Sequence, residues 1–327
     1  MSAAREIGGY LELEWFGGKP YHENVVALNC GRGCLAYLVE LRSIRAIWLP
    51  DFMCGSVPAL YRREGVAVRT YSVGWDMLPV YDFEVAAGEW LLLADYYGQL
   101  RPEDIDRARG HCGGGLVVDE TQGFFRAPWP GVDTVYTCRK WFGVADGGYL
   151  ATSDGARLKR ELPSDESHRR MGYLLGRFER PASEFFEEAQ ANNDLFADEP
   201  ARAMSPITEN IMGAIDYGRV KARREANWRA LHELLGGLNG LDLHEPDGAF
   251  MYPLAVDGAE RLRSELIARK VYVPTLWPNV LRECEPASAA YRLAHDIVPL
   301  PVDQRYGPEE MAMLVEAVRA CMGRRRA

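Results

Sequence analysis

Short apolar runs alternate with helical patterns through the first half of the chain. The runs are rich in β-branched, leucine and aromatic residues and lie at 46–50, 66–71, 91–94, 116–118 and 133–137. Runs of this length are typical of strands that are buried on both faces, as in a parallel sheet. A helical pattern between the first two runs gives a βαβ unit. The pattern therefore predicts an α/β fold with a mostly parallel central sheet.

The second half of the chain is patterned differently. Ser205 followed by Pro206 is typical of a helix start and predicts one long helix that runs to Leu235. Gly236-Gly237 then marks a break, after which shorter strand and helix patterns alternate. These features predict three parts: an N-terminal arm (1–24), a large domain (25–236) that includes the connecting helix 205–235, and a small C-terminal α/β domain (237–327).

Composition narrows the possible functions. The 327 residues carry a net charge of −9 with a pI near 5.3, which argues against nucleic-acid binding because phosphate contacts need a basic face. The chain opens without the apolar core of a signal peptide, and no apolar run approaches membrane-spanning length, so we expect a cytoplasmic protein without membrane contact. The seven cysteines and six histidines are dispersed, which predicts reduced thiols and no metal site.

Two charged residues follow neighbouring strands of the predicted sheet. Asp119 comes directly after the run 116–118, and Lys140 follows the run 133–137. Because parallel strands end at one edge of a sheet, where α/β proteins bind ligands, we expect both side chains at one rim. Pyridoxal phosphate (PLP) needs a lysine for its Schiff base and a carboxylate that keeps its pyridine nitrogen protonated. Asp119 and Lys140 suit these two roles.

The alternative is that Asp119 caps a helix and Lys140 is a solvated surface charge. The chain has only five lysines among its 38 basic residues. A chain that uses arginine almost everywhere thus keeps lysine at position 140, and lysine, unlike arginine, can lose its proton to become a nucleophile. This usage favours a chemical role for Lys140.

The order of the residues in this stretch carries a family resemblance. Asp119-x-x-Gln122, then Lys140, then Gly147-Gly148 resembles the active-site segment of the DegT/StrS-like sugar aminotransferases. These are PLP enzymes of the aspartate-aminotransferase fold (fold type I), with a large domain and a smaller C-terminal domain. The resemblance implies that Asp119 meets the pyridine nitrogen, that Gln122 lies against the cofactor, and that Lys140 forms the Schiff base.

A glycine turn, Gly31-Arg32-Gly33, precedes a helical pattern. Glycines at a helix start let backbone N–H groups approach a phosphate, although a plain helix N-terminus is the alternative. The turn resembles the family's Asn-Ser-Gly-Thr-x-Ala-Leu segment, which implies that Gly31 and Arg32 contact the PLP phosphate. Cys30 and Arg32 replace the usual Ser and Thr, so the backbone contact is kept while the side-chain contact is altered. Arg139 offers a further positive charge, with a surface ion pair as the alternative.

The resemblance implies three more cofactor contacts. Thr137 offers a hydroxyl near the position where many relatives have a serine and this chain has Val135. Phe52 matches an aromatic residue near the cofactor ring, with a core position as the alternative. Asn192 or Asn193 matches an asparagine that relatives bring across a dimer interface to the phosphate of the other subunit. We therefore expect a homodimer whose active site lies at the interface, with Asn193 as a cofactor contact.

The resemblance implies transamination in two half-reactions. An amino acid, taken as glutamate, gives its amine to the cofactor, and a keto sugar, taken as nucleotide-linked, accepts it. Lys140 would move the proton between the substrate α-carbon and the cofactor. Two alternatives stay open. One is a dehydration at the same PLP site, which we expect in relatives that lack the lysine; the other is a binding or regulatory protein in which the altered phosphate segment no longer holds the cofactor.

Overall fold

The computed structural model describes residues 7–112 and 115–323. The first six residues of the predicted arm and the last four of the predicted small domain lie outside this range. The described part of the arm is irregular, and Tyr10 and Trp15 are exposed. Near the end of the arm, His22 is buried and stacks on the Tyr136 ring at 4.0 Å. Its Nε2–H donates to Phe124 O at 2.7 Å, so this end is held by the large sheet.

Within the described residues, seven strands form the large sheet in the order β1-β7-β6-β5-β4-β2-β3. They are β1 (Val26–Leu28), β2 (Ala46–Pro50), β3 (Ala67–Tyr71), β4 (Trp90–Ala94), β5 (Leu116–Asp119), β6 (Asp133–Thr137) and β7 (Gly148–Ala151). All neighbouring pairs from β6 to β3 are parallel, and only β7 runs antiparallel to its neighbours. The predicted mostly parallel sheet is confirmed.

Helices cover the sheet and build the C-terminal region. They are α1 (Gly31–Arg42), α2 (Ser56–Arg63), α3 (Pro102–Cys112), α4 (Gly172–Glu179), α5 (Phe186–Leu195), α6 (Pro206–Gly213), α7 (Tyr217–Leu235), α8 (Ala259–Ala268), α9 (Val280–Glu283), α10 (Ala289–Asp296) and α11 (Pro308–Gly323). The described C-terminal region has a small antiparallel sheet of β8 (Met251–Ala255) and β9 (Ile297–Pro301). This confirms the predicted smaller α/β unit after the large sheet.

The prediction of one continuous helix over 205–235 is wrong. Ser205 does cap the first helix, α6, by accepting from Thr208 N at 3.2 Å. However, α6 ends at Gly213, and α7 starts at Tyr217. Asp216 provides a second N-cap, since its Oδ1 accepts from Arg219 N at 3.0 Å. A side chain that satisfies the first amides of a new helix offers the backbone an alternative to continuing the old one.

The parallel order brings several chain segments to one edge of the sheet. β4, β5 and β6 end side by side, because Ala94 pairs with Asp119 and Asp119 pairs with Val135 in the ladder. β1 points the same way, since both β1 and β6 are antiparallel to β7, so α1 begins at this edge as well. The edge therefore combines strand ends with a helix N-terminus, the usual ligand position in an open α/β sheet.

Candidate active site

A cavity of about 550 Å³ opens at this edge of the sheet. Strand ends, the start of α1, the end of α5 and part of the C-terminal region form its wall. The predicted catalytic and cofactor-binding residues that line it are Gly31, Arg32, Asp119, Gln122, Thr137, Lys140 and Asn193. We call the part with Asp119, Gln122 and Lys140 the acid–lysine end, and the part with Gly31, Arg32 and Arg139 the arginine end.

Phe52 is the predicted contact that does not line the cavity. Its side chain is 1% exposed, and its ring lies 5.0 Å from the rings of both Tyr96 and Trp277. Trp277 does reach the cavity wall, as does Cys54 from the same loop as Phe52. Phe52 therefore lies in the core and supports Trp277 from behind.

Lys140 lies in a tight turn after β6. Its side chain is open to the cavity, and its Nζ donates to Thr121 Oγ1 at 3.0 Å. The cavity walls partly remove the amine from water, and this desolvation lowers the pKa of Lys140 below its usual value. The positive charge of Arg139 lowers this pKa further, while Asp119 and Cys54 oppose the change. A lowered pKa leaves more of the amine neutral, which is the form that acts as nucleophile or base.

Asp119 is the last residue of β5 and faces the same cavity. Its Oδ1 accepts from the backbone N of Thr121 at 2.9 Å, which fixes the carboxylate at the end of the strand. Thr121 thus contacts both predicted catalytic residues, the carboxylate through its N–H and the lysine through its hydroxyl. Sequence reasoning missed Thr121, although its position inside the Asp-x-x-Gln segment was a usable signal.

Gln122 is buried beside the acid–lysine end. Its Oε1 accepts from the backbone N of Tyr97 at 3.0 Å. Tyr97 has a positive φ of 58°, an uncommon conformation for a residue with a side chain, and it follows β4. The bond joins the loops after β4 and β5, so the position of Gln122 is set by the neighbouring strand.

The arginine end begins with the N-terminus of α1. Cys30 caps this helix, since its Sγ accepts from Gly33 N at 3.2 Å. Arg32 Nη2 donates to Asn193 O at 2.9 Å, and Arg139 Nη2 donates to Asn193 Oδ1 at 3.3 Å. Burial lowers the pKa of Arg139, but arginine stays charged at neutral pH. Two guanidinium groups and the positive end of a helix dipole therefore meet here, which suits an anion.

The structure separates the two asparagines that the sequence left as alternatives. Asn193 lies on the cavity wall and binds both arginines of its own chain. Asn192 is buried on the other side of α5, where its Nδ2 donates to Ala145 O at 2.8 Å. Thr137, the last residue of β6, is buried at the cavity wall.

A pair of buried carboxyl groups at the cavity wall was not identified from the sequence. Asp95 follows β4 and Glu120 follows β5, and both are almost fully buried. A Cβ on Gly123 would clash with Glu120 Oε2 and would lie 3.1 Å from Asp95 Oδ2, so both oxygens face one point. Burial and the charge of Asp95 raise the pKa of Glu120 well above its usual value, so the pair retains a proton. The sequence did contain a signal for this pair, because Asp95 directly follows β4 and Glu120 directly follows β5.

Neither a metal cluster nor a membrane span occurs within residues 7–112 and 115–323. That range contains no group of three His, Cys, Asp or Glu side chains that could hold a metal ion. Its helices are all too short or too polar to cross a membrane.

Comparison with known proteins gives matches in structure but not in sequence. No protein-family model matches the chain, and no curated protein matches it either. A sugar aminotransferase from Micromonospora echinospora superposes with a TM-score of 0.64 and 16% identity, covering 91% of this chain and 87% of that chain. A DegT/DnrJ/EryC1/StrS aminotransferase from Brucella abortus gives a TM-score of 0.63 and 13% identity, covering 92% and 86%.

A third similar structure is the PLP form of a putative sugar aminotransferase from Streptococcus pneumoniae. It superposes with a TM-score of 0.64 and 12% identity, covering 93% of this chain and 88% of that chain. At such low identities, structural likeness establishes the fold and leaves the chemistry to the residues of the site. The predicted fold is thereby confirmed: this chain has the α/β fold of the DegT/StrS-like sugar aminotransferases, aminotransferase fold type I.

Proposed function

We propose that this protein is a PLP-dependent aminotransferase that moves an amino group from an amino acid, with glutamate as the expected donor, to a nucleotide-linked keto sugar. One observation carries the proposal: a lysine of lowered pKa, a strand-end carboxylate and an arginine-flanked helix N-terminus line a single cavity. Structures of the same fold include a putative sugar aminotransferase in PLP and PMP forms. The proposal brings that chemistry to this chain.

The residues of the cavity fit PLP at both of its ends. Gly31 lines the cavity at the start of α1, so backbone without a side chain borders the space there, which suits a phosphate. Arg32, Thr137 and Arg139 would complete this anion site, and Asn193 would join them from the same chain, whereas the family resemblance implies an asparagine from the partner subunit. Asp119 would bind the protonated pyridine nitrogen, and Gln122 would lie against the cofactor. When bound, PLP supplies an electron sink for the substrate carbon that loses its proton.

The remaining chemistry depends on Lys140. Its Nζ would take the proton from the α-carbon of the amino-acid substrate and deliver it to the aldehyde carbon of the cofactor. Thr121 Oγ1 would hold Nζ in place between these two positions. Such a proton transfer requires a base at this point, so the presence of Lys140 favours transamination over dehydration. Asp119 would hold the proton on the pyridine nitrogen throughout.

We infer further that the protein is a homodimer. Large apolar side chains are exposed on the arm and on the two helices beside the arginine end, for example Trp15, Phe178 and Phe186. A second copy of the chain would remove this surface from water. A molar mass of one subunit at micromolar concentration, measured by light scattering, would contradict the inference.

The test of the proposed activity is the visible absorption spectrum of the purified protein with added PLP. We expect a yellow protein in which borohydride reduction links the cofactor to the peptide that contains Lys140. Incubation with glutamate should then bleach the long-wavelength band, and nucleotide-linked keto sugars should restore it. Lys140→Ala should lose turnover by at least about a thousandfold.

The matched control is Lys159→Ala, because Lys159 is an exposed lysine outside the cavity. This variant should behave as the wild type. A colourless protein that takes up no PLP would overturn the proposal and would favour a binding or regulatory role on this fold. Cofactor mapped to a lysine other than Lys140 would overturn the assignment of the site.

A further inference from the structure

A buried cation, Arg224 on α7, lies behind the loop that carries Lys140. Arg224 is 2% exposed, and burial lowers its pKa to about 10, so it is still charged at neutral pH. Its hydrogen bonds go to uncharged oxygens: Nε donates to Gln304 Oε1 at 2.7 Å and Nη1 to Ala249 O at 2.9 Å. A charge held in the interior is costly unless its donors are well satisfied, so these contacts define one position for the guanidinium.

The same group binds the backbone carbonyl of Trp141, the residue directly after the lysine. Arg224 Nη2 donates to Trp141 O at 3.3 Å, and Gln304 Nε2 donates to the same oxygen at 2.8 Å. The guanidinium also lies over the Trp141 ring at 4.5 Å. Both the carbonyl and the ring of Trp141 are therefore held from the side opposite the cavity.

On the cavity side, Trp141 is held by the residue that also holds the lysine. Trp141 Nε1 donates to Thr121 O at 3.1 Å, while Lys140 Nζ donates to Thr121 Oγ1 at 3.0 Å. Arg224, Gln304, Trp141 and Thr121 thus form a continuous set of contacts that ends at Nζ. A shift of Trp141 would break both hydrogen bonds to its carbonyl and the contact of its ring with the guanidinium at once.

The contacts also connect the lysine to the C-terminal region. Ala249, which accepts from Arg224, immediately precedes Phe250 and strand β8, and Lys140 Nζ lies 5.6 Å from the centre of the Phe250 ring. Gln304 follows β9. Both strands of the small sheet are therefore attached through Arg224 to the backbone of the catalytic loop.

We propose that Arg224 and Gln304 are positioning residues for Lys140, holding the Trp141 carbonyl so that the amine points at Thr121 and into the cavity. The proposal rests on the proposed function for its meaning in catalysis, but the orientation of Lys140 exists without cofactor. Loss of either donor frees the Trp141 peptide and changes the surroundings of the amine. Small departures from a productive geometry reduce rates strongly.

A purely structural role for Arg224 would predict a loss of stability without a change at Lys140. Replacing a buried, hydrogen-bonded arginine would then lower the melting temperature and leave the chemistry of Lys140 in the folded fraction unchanged. The two roles are separated by a readout on the lysine itself, measured in protein that is shown to be folded.

The experiment uses Gln304→Leu and Arg224→Lys in the full chain, with Arg223→Met as the control, because Arg223 is the exposed neighbour of Arg224 on α7. The first readout is the rate at which acetic anhydride modifies Lys140 in protein without cofactor, followed against pH by peptide mass spectrometry. Lys159 in the same sample is the internal reference. We expect the Lys140 profile to shift by half a pH unit or more in both variants, with the Lys159 profile and the control unchanged.

The second readout is kinetic and uses protein loaded with PLP. We expect kcat to fall about tenfold in Gln304→Leu with KM for glutamate within threefold of wild type, since the amine is misplaced while the substrate site is intact. Wild-type Lys140 profiles in both folded variants would overturn the proposal, whatever their melting temperatures. If Arg224→Lys does not fold, Gln304→Leu, which leaves all charges in place, decides the question.

Failure of the proposed function gives a different result. A protein that takes up no PLP but whose Lys140 labelling profile shifts in Gln304→Leu would refute the aminotransferase and support the positioning role. A protein that binds PLP through Lys140 but whose Lys140 labelling profile is unchanged in Gln304→Leu would refute the positioning role and leave the aminotransferase proposal standing.

Discussion

The acid–lysine end and the arginine end of the cavity are held by different kinds of contact. At the acid–lysine end, Asp119 and Lys140 both bind Thr121, and all three residues lie at or just after two adjacent strands. At the arginine end, Arg32 and Arg139 both bind Asn193 on α5, a helix with mostly exposed residues. The groups proposed for chemistry thus share a partner at the end of a strand, whereas the two guanidinium groups proposed for anion binding share a partner on a peripheral helix.

This difference leads us to expect separate effects on the reaction rate and on the affinity for PLP. Groups that act in the transition state must be placed accurately, and adjacent buried strands provide that accuracy. A phosphate is a large, doubly charged anion that several donors can share, so its site tolerates a wall that moves. We therefore expect changes at the acid–lysine end to reduce the rate, and changes at the arginine end to reduce the affinity for PLP.

Apart from the loss of Lys140 itself, the largest expected effect is that of Asp119→Asn. Asparagine can still accept from Thr121 N but cannot carry the charge that keeps the pyridine nitrogen protonated. We expect the half-reaction with glutamate to slow by about a hundredfold or more, with the dissociation constant for PLP within about tenfold of wild type. Stopped-flow absorbance measures the first quantity, and fluorescence titration the second. Exposed Asp106 gives the control Asp106→Asn, and an unchanged rate in Asp119→Asn would refute the assigned role.

A smaller, opposite pattern is expected at the arginine end. Arg139→Met and Arg32→Met each remove a charged donor, so PLP should bind about tenfold more weakly. Pyridoxal, which lacks the phosphate, should bind equally to wild type and variants, and the rate at saturating PLP should change little. Arg45→Met, at an exposed arginine away from the cavity, is the control. Equal losses for PLP and pyridoxal would show that these arginines do not recognise the phosphate.

The smallest expected effect is on the free energy of unfolding and comes from Glu120, next to the acid–lysine end. The raised pKa of Glu120 means that the folded protein retains a proton that the unfolded chain releases, so this contribution to stability is present at acid pH and lost as pH rises. In the wild type, Trp129 Nε1 donates to Glu120 Oε1. In Glu120→Gln, the amide oxygen should still accept this bond, and the amide N–H should donate to Asp95. We expect the variant to gain on the order of 1 kcal/mol at pH 8, and less at pH 5.

Urea unfolding of Glu120→Gln and wild type at both pH values measures this difference. The exposed Glu316 provides the control variant Glu316→Gln, which should show no dependence on pH. A stability gain of Glu120→Gln that is the same at pH 5 and pH 8 would mean that Glu120 does not hold a proton in the folded state. The arginine end contains no such carboxyl pair, so Arg139→Met should not alter the pH dependence of unfolding.

Predictions from the sequence succeeded where they depended on local pattern. The apolar runs predicted the strands of the large sheet. Asp119 at the end of β5 and Lys140 after β6 line the same cavity because adjacent parallel strands end at one edge. Ser205 was found as an N-cap for the same reason, since capping involves residues only three positions apart. The break between α6 and α7 was missed, because the Asp216 cap lies inside an otherwise helical pattern.

What the pattern left undecided required contacts between distant segments. Phe52 lies in the core because Tyr96 and Trp277 surround it, and no local feature separates that position from one facing a ligand. Asn193 rather than Asn192 faces the arginines because of how α5 docks. The contact of Arg224 with the peptide after Lys140 joins residues 83 positions apart, a relation that one sequence does not contain.

The sequence by itself determined the fold class and the edge of the sheet at which Asp119 and Lys140 lie, since burial of apolar runs and the direction of parallel strands depend on periodicity and order. Only the tertiary structure decided which side chains surround these two residues and how the lysine is held. Hydrogen bonds and burial act over a few ångströms in space regardless of separation along the chain, so the lowered pKa of Lys140, the carboxyl pair of Asp95 and Glu120, and the contacts of Arg224 arise only in the folded protein.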